Sequence, residues 1–253
     1  MTSIGFDRAA EYYDATRALP GEAAKVLTEL LAGELRGLGL VLEIGVGTGL
    51  VGLPLAGAGI PLVGVDIAPA MLRKLIDKAG GDVFPLVIAD ARELPFPDGL
   101  FGAALASHVF HLIPEWRRAL DELFRVVRPG GRLLFDLGGR HDSLSDVDRR
   151  FWSQAPRRTD AIRHEMEAEL PGIMAARGAR RRELPVVEAV YRQTVAERLA
   201  NLEAGRFAAC WDLEPETIAR AAAAARDWAL ATYGDLGAER EVRQPVVWTA
   251  YDL

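Results

Sequence analysis

The stretch Val41-Leu42-Glu43-Ile44-Gly45-Val46-Gly47-Thr48-Gly49 constrains the fold more than any other, because a buried strand passes directly into a loop with glycine at every second position. Glycines at alternate positions leave a backbone without Cβ atoms, able to take positive φ and to let a bulky ligand lie against it. The apolar residues ahead of the loop suit a strand buried on both faces, and Leu50 to Ala58 can continue as a helix whose amides point back at the loop. Strand, glycine turn and helix together make the ligand-binding corner of a doubly wound α/β sheet.

Further along, the chain twice repeats the strand-then-acid pattern. Pro61 to Asp66 and Phe84 to Asp90 are short apolar strands that each end on a carboxylate. Loops carrying Gly45 to Gly49, Asp66 and Asp90 therefore belong at the carboxyl edge of one parallel sheet, facing one cleft. Leu100 to Ala106 reads as a fourth strand, followed by Ser107-His108-Val109-Phe110-His111 at its end. Behind Pro114, the apolar residues Trp116, Ala119, Leu120, Leu123, Phe124 and Val127 recur at helical spacing. Arg128-Pro129-Gly130-Gly131 breaks that helix, and Arg132 to Leu137 predicts a fifth strand.

Ahead of the glycine loop, Ala23, Val26, Leu27, Leu30, Leu31 and Leu35 predict a helix with one buried stripe. The opening segment Phe6 to Arg17 mixes aromatics and charges and does not read as core. Regular alternation lapses from Gly138 to about Pro185, where ten arginines lie between Arg140 and Arg182. This span, 138–185, reads as a helical lid and acceptor-binding insertion within a single domain of 1–253, with 1–20 as an N-terminal gate. Val186 to Gln193 predicts a sixth strand, Thr194 with Glu197 a capping box, Pro215 to Tyr233 a long helix, and Glu241 to Tyr251 a last, antiparallel strand near an edge.

The totals bound the function classes. A formal charge of 30 − 36 = −6 argues against a general binder of nucleic acid or anionic membrane. No apolar run reaches the roughly 18 residues of a spanning helix, and Met1-Thr2-Ser3 leads into charged residues, so a cytoplasmic protein is expected. The single cysteine, Cys210, forms neither an internal disulfide nor a cysteine metal cluster, and no metal is expected. Arginine outnumbers lysine 27 to 3 in a chain rich in Ala, Gly and Leu, which reads as coding bias.

Read literally, Gly47-Thr48-Gly49-Leu50-Val51-Gly52 satisfies the G-x-G-x-x-G dinucleotide pattern, with Asp66 placed to hold a ribose. The glycine that directly follows the strand is Gly45, however, and Glu43 before it and Asp90 beyond have no use in a nicotinamide site. A nucleoside carrying an amino-acid tail uses all three acids.

Five segments, VLEIGVGTG (41 to 49), GVDIAPAML (64 to 72), IADARELPFPD (88 to 98), LASHVFHLIPE (105 to 115) and LFRVVRPGGRLLF (123 to 135), together resemble the class I S-adenosylmethionine-dependent methyltransferases, type 11 branch, in order and spacing. FDRAAEYYDATR is similar to the family's opening helix. The resemblance implies a Rossmann-like, mainly parallel seven-stranded sheet with the last strand antiparallel. It implies S-adenosyl-L-methionine as cofactor, S-adenosyl-L-homocysteine as product, and a small-molecule acceptor.

It also implies roles. Glu43 would attract the cofactor's ammonium while the amides around Gly45, Gly47 and Gly49 favour its carboxylate. Asp66 would accept the ribose hydroxyls, Asp90 and the Ala91 amide would meet adenine, and Ile67 and Met71 would pack on the purine. Ser107 and His108 would face the sulfonium, and Tyr13 and Arg17, with Tyr12, would fold over the cofactor. His108 and His111 are the candidate bases, with a structural role as the alternative for each, capping or packing for His111. Solvated loop carboxylates or helix caps are the alternatives for the acids. The dense run Arg177 to Arg182 reads as a solvated helix end or an anion site. A monomer or homodimer is expected, without nucleic-acid partners. The rivals are an NAD(P)-dependent oxidoreductase and a non-catalytic cofactor-binding protein.

Overall fold

The computed structural model describes residues 6–137, 142–155 and 158–253. These residues fall into two compact units. The first draws on Met1–Gly138, Ile162–Val187 and Val247–Leu253, and the second on Gly139–Ala161 and Glu188–Val246.

In the first unit a seven-stranded sheet runs in the order β3-β2-β1-β4-β5-β9-β6. Its strands are β1 (Val41–Ile44), β2 (Leu62–Asp66), β3 (Leu86–Ile88), β4 (Phe101–Ser107), β5 (Val127–Asp136), β6 (Arg180–Glu183) and β9 (Thr249–Asp252). The first five pair in parallel, and β9 is antiparallel to both β5 and β6. The order reverses between β1 and β4, the place where an open α/β sheet leaves a crevice at its carboxyl edge.

The helices of this unit are α1 (Tyr13–Arg17), α2 (Gly21–Leu35), α3 (Gly52–Gly57), α4 (Pro69–Lys78), α5 (Trp116–Val126) and most of α7 (Arg158–Ala176). Trp116, Ala119, Leu120 and Leu123 of α5 are buried as their spacing predicts, with Val126, against β4 and β5 residues such as Phe101 and Leu133, whereas Phe124 is only partly buried and Val127, expected on the helix, begins β5. Met166, Leu170 and Met174 of α7 join the same core. The opening segment is a 3-10 turn, Asp7–Ala9, followed by α1.

The second unit holds α6 (Ser145–Trp152), α8 (Val195–Glu203), α9 (Pro215–Tyr233) and a two-stranded sheet of β7 (Val187–Thr194) and β8 (Glu239–Val246). Val147, Phe151, Val195, Leu199, Ala221, Ala225 and Val242 form its core, with Cys210 buried among them. Arg198 is 1 % exposed, and its guanidinium donates to Asp142 Oδ2 at 2.6 Å. Thr194 and Glu197 make the expected capping box.

Three strand expectations change. Val187–Thr194 does form a strand, but it pairs with β8 outside the main sheet. The expected last strand divides into β8 and β9, and only β9 enters the main sheet. The seventh place is taken by Arg180–Glu183, which had read as a helix end. A run of arginines can serve as an edge strand because its partners carry acids: Arg182 Nε donates to Asp252 Oδ2 at 2.8 Å and its Nη2 to Glu34 Oε2 at 2.6 Å. Charged side chains also keep such an edge from pairing with another chain. Of the span 138–185, residues 139–161 fall in the second unit and 162–187 in the first.

Candidate functional site

The carboxyl ends of β1, β2, β3 and β4 surround a cavity of about 620 Å3, mouth included, within the first unit. Of the candidate site residues, Gly45, Gly47, Asp66, Ile67, Met71, Asp90, Ala91, Ser107, His108 and Tyr13 line it. Glu43, Gly49, Arg17 and His111 do not.

The loop geometry explains the glycines. Gly45 has φ +65°, and a Cβ there would stand 2.5 Å from Val109 Cγ2, so only a bare backbone lets the β4 exit pack against the loop. Gly47, at φ +55°, donates its N–H to Asp66 Oδ2 at 2.8 Å, while Ala68 N–H donates to Asp66 Oδ1 at 2.8 Å. Asp66 therefore ties the first loop to the second and remains on the cavity wall. Burial raises its affinity for a proton, and the Ala68 and Gly47 amides partly offset that rise.

Glu43 lies in β1, 2 % exposed, and its Oε2 is a buried atom with no hydrogen-bond partner among the described residues. Burial, with a smaller contribution from the Asp66 charge, pushes its pKa well above the usual carboxylate range. A buried acid without a cation is costly unless something supplies the missing charge. The site thus has a demand for positive charge that the described residues leave unmet. Gly52 is the reason Glu43 fits: a Cβ on it would stand 2.4 Å from Glu43 Oε2 and 2.9 Å from Phe84 Cζ. The third glycine of the literal dinucleotide pattern is therefore spent on Glu43, inside the fold.

Asp90 reaches the cavity with both oxygens engaged by Arg92, Nε to Oδ1 at 3.0 Å and Nη2 to Oδ2 at 2.8 Å, and Arg92 Nη1 continues to Glu115 Oε1 at 3.0 Å. At the end of β4, Ser107 Oγ donates to Asp136 Oδ2 at 3.3 Å, and His108 Nε2 lies 3.1 Å from the same oxygen. His111 sits on the 3-10 turn Phe110–Leu112. Arg17 donates to its neighbour's carbonyl, Thr16 O, at 3.2 Å. Tyr13 is partly buried at the cavity wall, and desolvation raises its pKa despite the opposing charge of Arg17, so its hydroxyl keeps its proton at neutral pH.

The opening segment is held over α4 by a series of polar contacts. Asp7 Oδ1 accepts the Ala70 N–H at 2.7 Å, Lys74 pairs with Glu11 at 3.0 Å, and Lys78 pairs with Asp14 at 2.6 Å. The hydroxyl of Thr48 in the glycine loop also donates to Asp14. Phe6 and Tyr13 reach the cavity from this segment.

Sequence reasoning missed Phe6, Val65, Ala89, Val109, Leu112 and Ile113 in the lining. Their apolar character reads as core, and the only available signal was that Val109, Leu112 and Ile113 continue an apolar run past the end of a strand.

Comparison with known proteins agrees with this geometry. Residues 42–135 match a family model described as a methyltransferase domain. A demethylmenaquinone methyltransferase of Clavibacter sepedonicus is 35 % identical over 142 residues, covering 53 % of this chain and 56 % of that protein. The chain spans about half the length of the curated relatives it matches. The YcgJ protein of Bacillus subtilis shares the fold, with a TM-score of 0.59 at 17 % identity, covering 92 % of this chain and 98 % of that one. So does a Haemonchus contortus phosphoethanolamine N-methyltransferase 2, solved with S-adenosylhomocysteine, at TM-score 0.54 and 17 % identity, covering 97 % of this chain and 57 % of that one. Residues 42–135 are thus similar to methyltransferase domains.

Proposed function

We propose that the chain transfers a methyl group from S-adenosyl-L-methionine to a small-molecule acceptor, releasing S-adenosyl-L-homocysteine. The observation that carries this reading is the buried Glu43 carboxyl beneath a glycine loop, whose Oε2 has no hydrogen-bond partner among the described residues. An amino-acid ammonium over the loop answers that carboxyl, directly or through water, whereas a pyrophosphate would place like charge beside it.

The other residues follow the same logic. Amides of the Gly45 to Gly49 loop favour the ligand's carboxylate, and the Asp66 oxygens, each holding one amide, retain lone pairs for ribose hydroxyls. Ile67 and Met71 offer the purine an apolar wall, with Asp90 and the Ala91 amide at its edge. Tyr13 and Arg17 approach from α1 and the Asp7 to Asp14 contacts hold that segment in place. When bound, the ligand supplies an electrophilic methyl on sulfur. The chain's own contribution is alignment and exclusion of water by Phe6, Tyr13, Val109 and Leu112.

From the name of the Clavibacter relative we carry over only that the acceptor is a small molecule. The net charge of −6 fits that better than a nucleic acid. No helix among the described residues is long and apolar enough to cross a membrane.

Thermal melting tests the reading with S-adenosylhomocysteine, S-adenosylmethionine, NAD and NADP added separately. A ligand at ~100 times its Kd stabilises by about 2.7 kcal/mol, and the expected result is a shift with the two adenosyl ligands alone. A shift with a nicotinamide and none with either adenosyl ligand overturns it.

A further inference from the structure

The opening segment lies along α4 in register. Asp7, Glu11 and Asp14 follow one another at spacings that share one face of a helical path. They meet the Ala70 N–H at 2.7 Å, Lys74 at 3.0 Å and Lys78 at 2.6 Å, which follow α4 in the same order. Exposed pairs such as Glu11 with Lys74 contribute little singly. The apolar cluster beneath them is small, with Ala10, Ala68 and Met71 buried and Phe6, Tyr13 and Ala70 at its border. A 3-10 turn and a five-residue helix held in this way can open locally while the sheet stays folded.

Asp14 differs from the other two acids because it also reaches the glycine loop. Its Oδ1 accepts the hydroxyl of Thr48, which is 0 % exposed, and its Oδ2 accepts Lys78 Nζ at 2.6 Å. Thr48 stands between Gly47 and Gly49, at φ +55° and +77°, and glycines on both sides leave its backbone free to rotate unless something outside the loop fixes it. Asp66 does so from the cavity side, through the Gly47 N–H at 2.8 Å, and Asp14 does so from the opening segment. Phe6 and Tyr13, the latter next to Asp14, line the cavity, whereas Asp14, Thr48 and Lys78 do not. The wall that Phe6 and Tyr13 form swings away only if Asp14 gives up Thr48, and with it this tie on the loop.

We propose that Asp14 is a positioning residue that makes the opening segment a door for the adenosyl ligand. Shut, the door rests on Thr48 and Lys78 and fixes the loop whose amides favour the ligand's carboxylate. Open, it frees the loop together with the cavity mouth, so that the ligand site loosens as the ligand enters or leaves. The inference rests on the methyl-transfer reading for the identity of the ligand and adds how that ligand comes and goes. The rate of release is then set by three side chains outside the cavity lining.

The test uses the full chain and begins without ligand. Hydrogen exchange at the amides of residues 6–17, read by mass spectrometry, should quicken roughly tenfold in Thr48→Val, a change in the loop and not in the segment, which is the scale of one hydrogen bond to a charged group. Thr48→Ser keeps the hydroxyl and should restore the wild-type rate. Asp14→Ala should quicken exchange at least as much, and adding Thr48→Val to it should change nothing further, because the bond is already gone. S-adenosylhomocysteine at saturation should slow the same amides in the wild type. Its release, timed by displacement with excess S-adenosylmethionine, should be roughly tenfold faster in Thr48→Val and Asp14→Ala, with Kd changing less because entry quickens too. Lys78→Met, on a side chain 34 % exposed, should also speed release, and it carries this arm if Asp14→Ala folds poorly. Exchange at 6–17 unmoved by Thr48→Val, equal rates in Thr48→Ser and Thr48→Val, or release from Asp14→Ala and Lys78→Met within about twofold of wild type overturns the proposal. A wild type that shows the expected exchange but binds no S-adenosylhomocysteine overturns the methyl-transfer reading instead.

Discussion

Glu43 and Asp66 at the carboxyl edge of the sheet, and Glu34 and Asp252 at its opposite edge, are the same two residue types in the same unit with opposite electrostatics. Burial raises the proton affinity of the first pair. In the second pair, hydrogen bonds from Arg182, with Arg132 beside it, lower it, taking Asp252 to about 2. The far edge is closed upon itself: Arg132 Nη1 holds Glu34 Oε2 at 2.6 Å and its Nε holds Asp252 Oδ1 at 2.7 Å, with Arg182 bridging the same two acids. An acid supplied with arginines has no further demand for charge and serves the fold. An acid buried without one is a demand that a ligand can meet.

Five experiments bear on that contrast, in descending order of effect. Gly45→Ala should be the most damaging, because its Cβ meets Val109 at 2.5 Å on a residue with positive φ. A loss of about 3 kcal/mol is expected, a fall in Tm of roughly 6–12 °C for a chain of this size, and Val109→Ala should recover part of it. Additive losses in the double variant would show that the loop and the β4 exit are not coupled.

On the ligand side, Asp66→Ala should weaken S-adenosylhomocysteine binding by about 10–100-fold, or ~1.4–2.7 kcal/mol, by calorimetry, and an unchanged affinity removes it from the site. Glu43→Gln sharpens the same point through a change of sign. A group whose folded pKa is raised stabilises the fold below its ordinary pKa and loses that contribution as the pH rises through the raised value. At neutral pH the variant should therefore melt higher than wild type without ligand, yet bind the adenosyl ligand more weakly. A lower Tm together with unchanged affinity would place Glu43 in the scaffold.

Asp252→Asn should behave in the reverse sense. Its folded pKa lies below the ordinary 3.8, so its contribution is present above that value and is lost as the pH falls toward about 2. After allowance for partial solvent screening, a loss of about 1–2 kcal/mol at neutral pH is expected, vanishing in acid melts, with ligand affinity untouched. The smallest effect belongs to Lys74→Ala: its partner Glu11 is 84 % exposed, and a surface pair of this kind contributes less than about 1 kcal/mol. A large stability loss there would mean that the opening segment is held by charge more than by the packing of Ala10 on Met71.

Much of the first unit was legible because its signals are local. Alternating glycines, apolar runs ending on acids and the helical spacing of α5 each depend on residues near in sequence, and they placed ten of the expected site residues on one cavity. What was not legible depends on partners far away in the chain. Arg180 to Glu183 looks like no strand by composition, and becomes one because Asp252 and Glu34 neutralise its arginines. Val187 to Thr194 carries a strand's pattern, but pattern does not say which strand it pairs with, and it pairs with Glu239–Val246.

Residue types and their order determined by themselves that a glycine loop and two acids would meet at one edge of a parallel sheet, since strand ends in such a sheet converge whatever the loops do. Only the tertiary structure decided which acids keep a demand for charge. That depends on whether an arginine 120 or 148 residues away arrives beside the carboxylate, as with Asp252 and Glu34, or does not, as with Glu43. It also decided that His108 turns back onto Asp136, because a positive φ there exists only while β5 and Val109 enforce it.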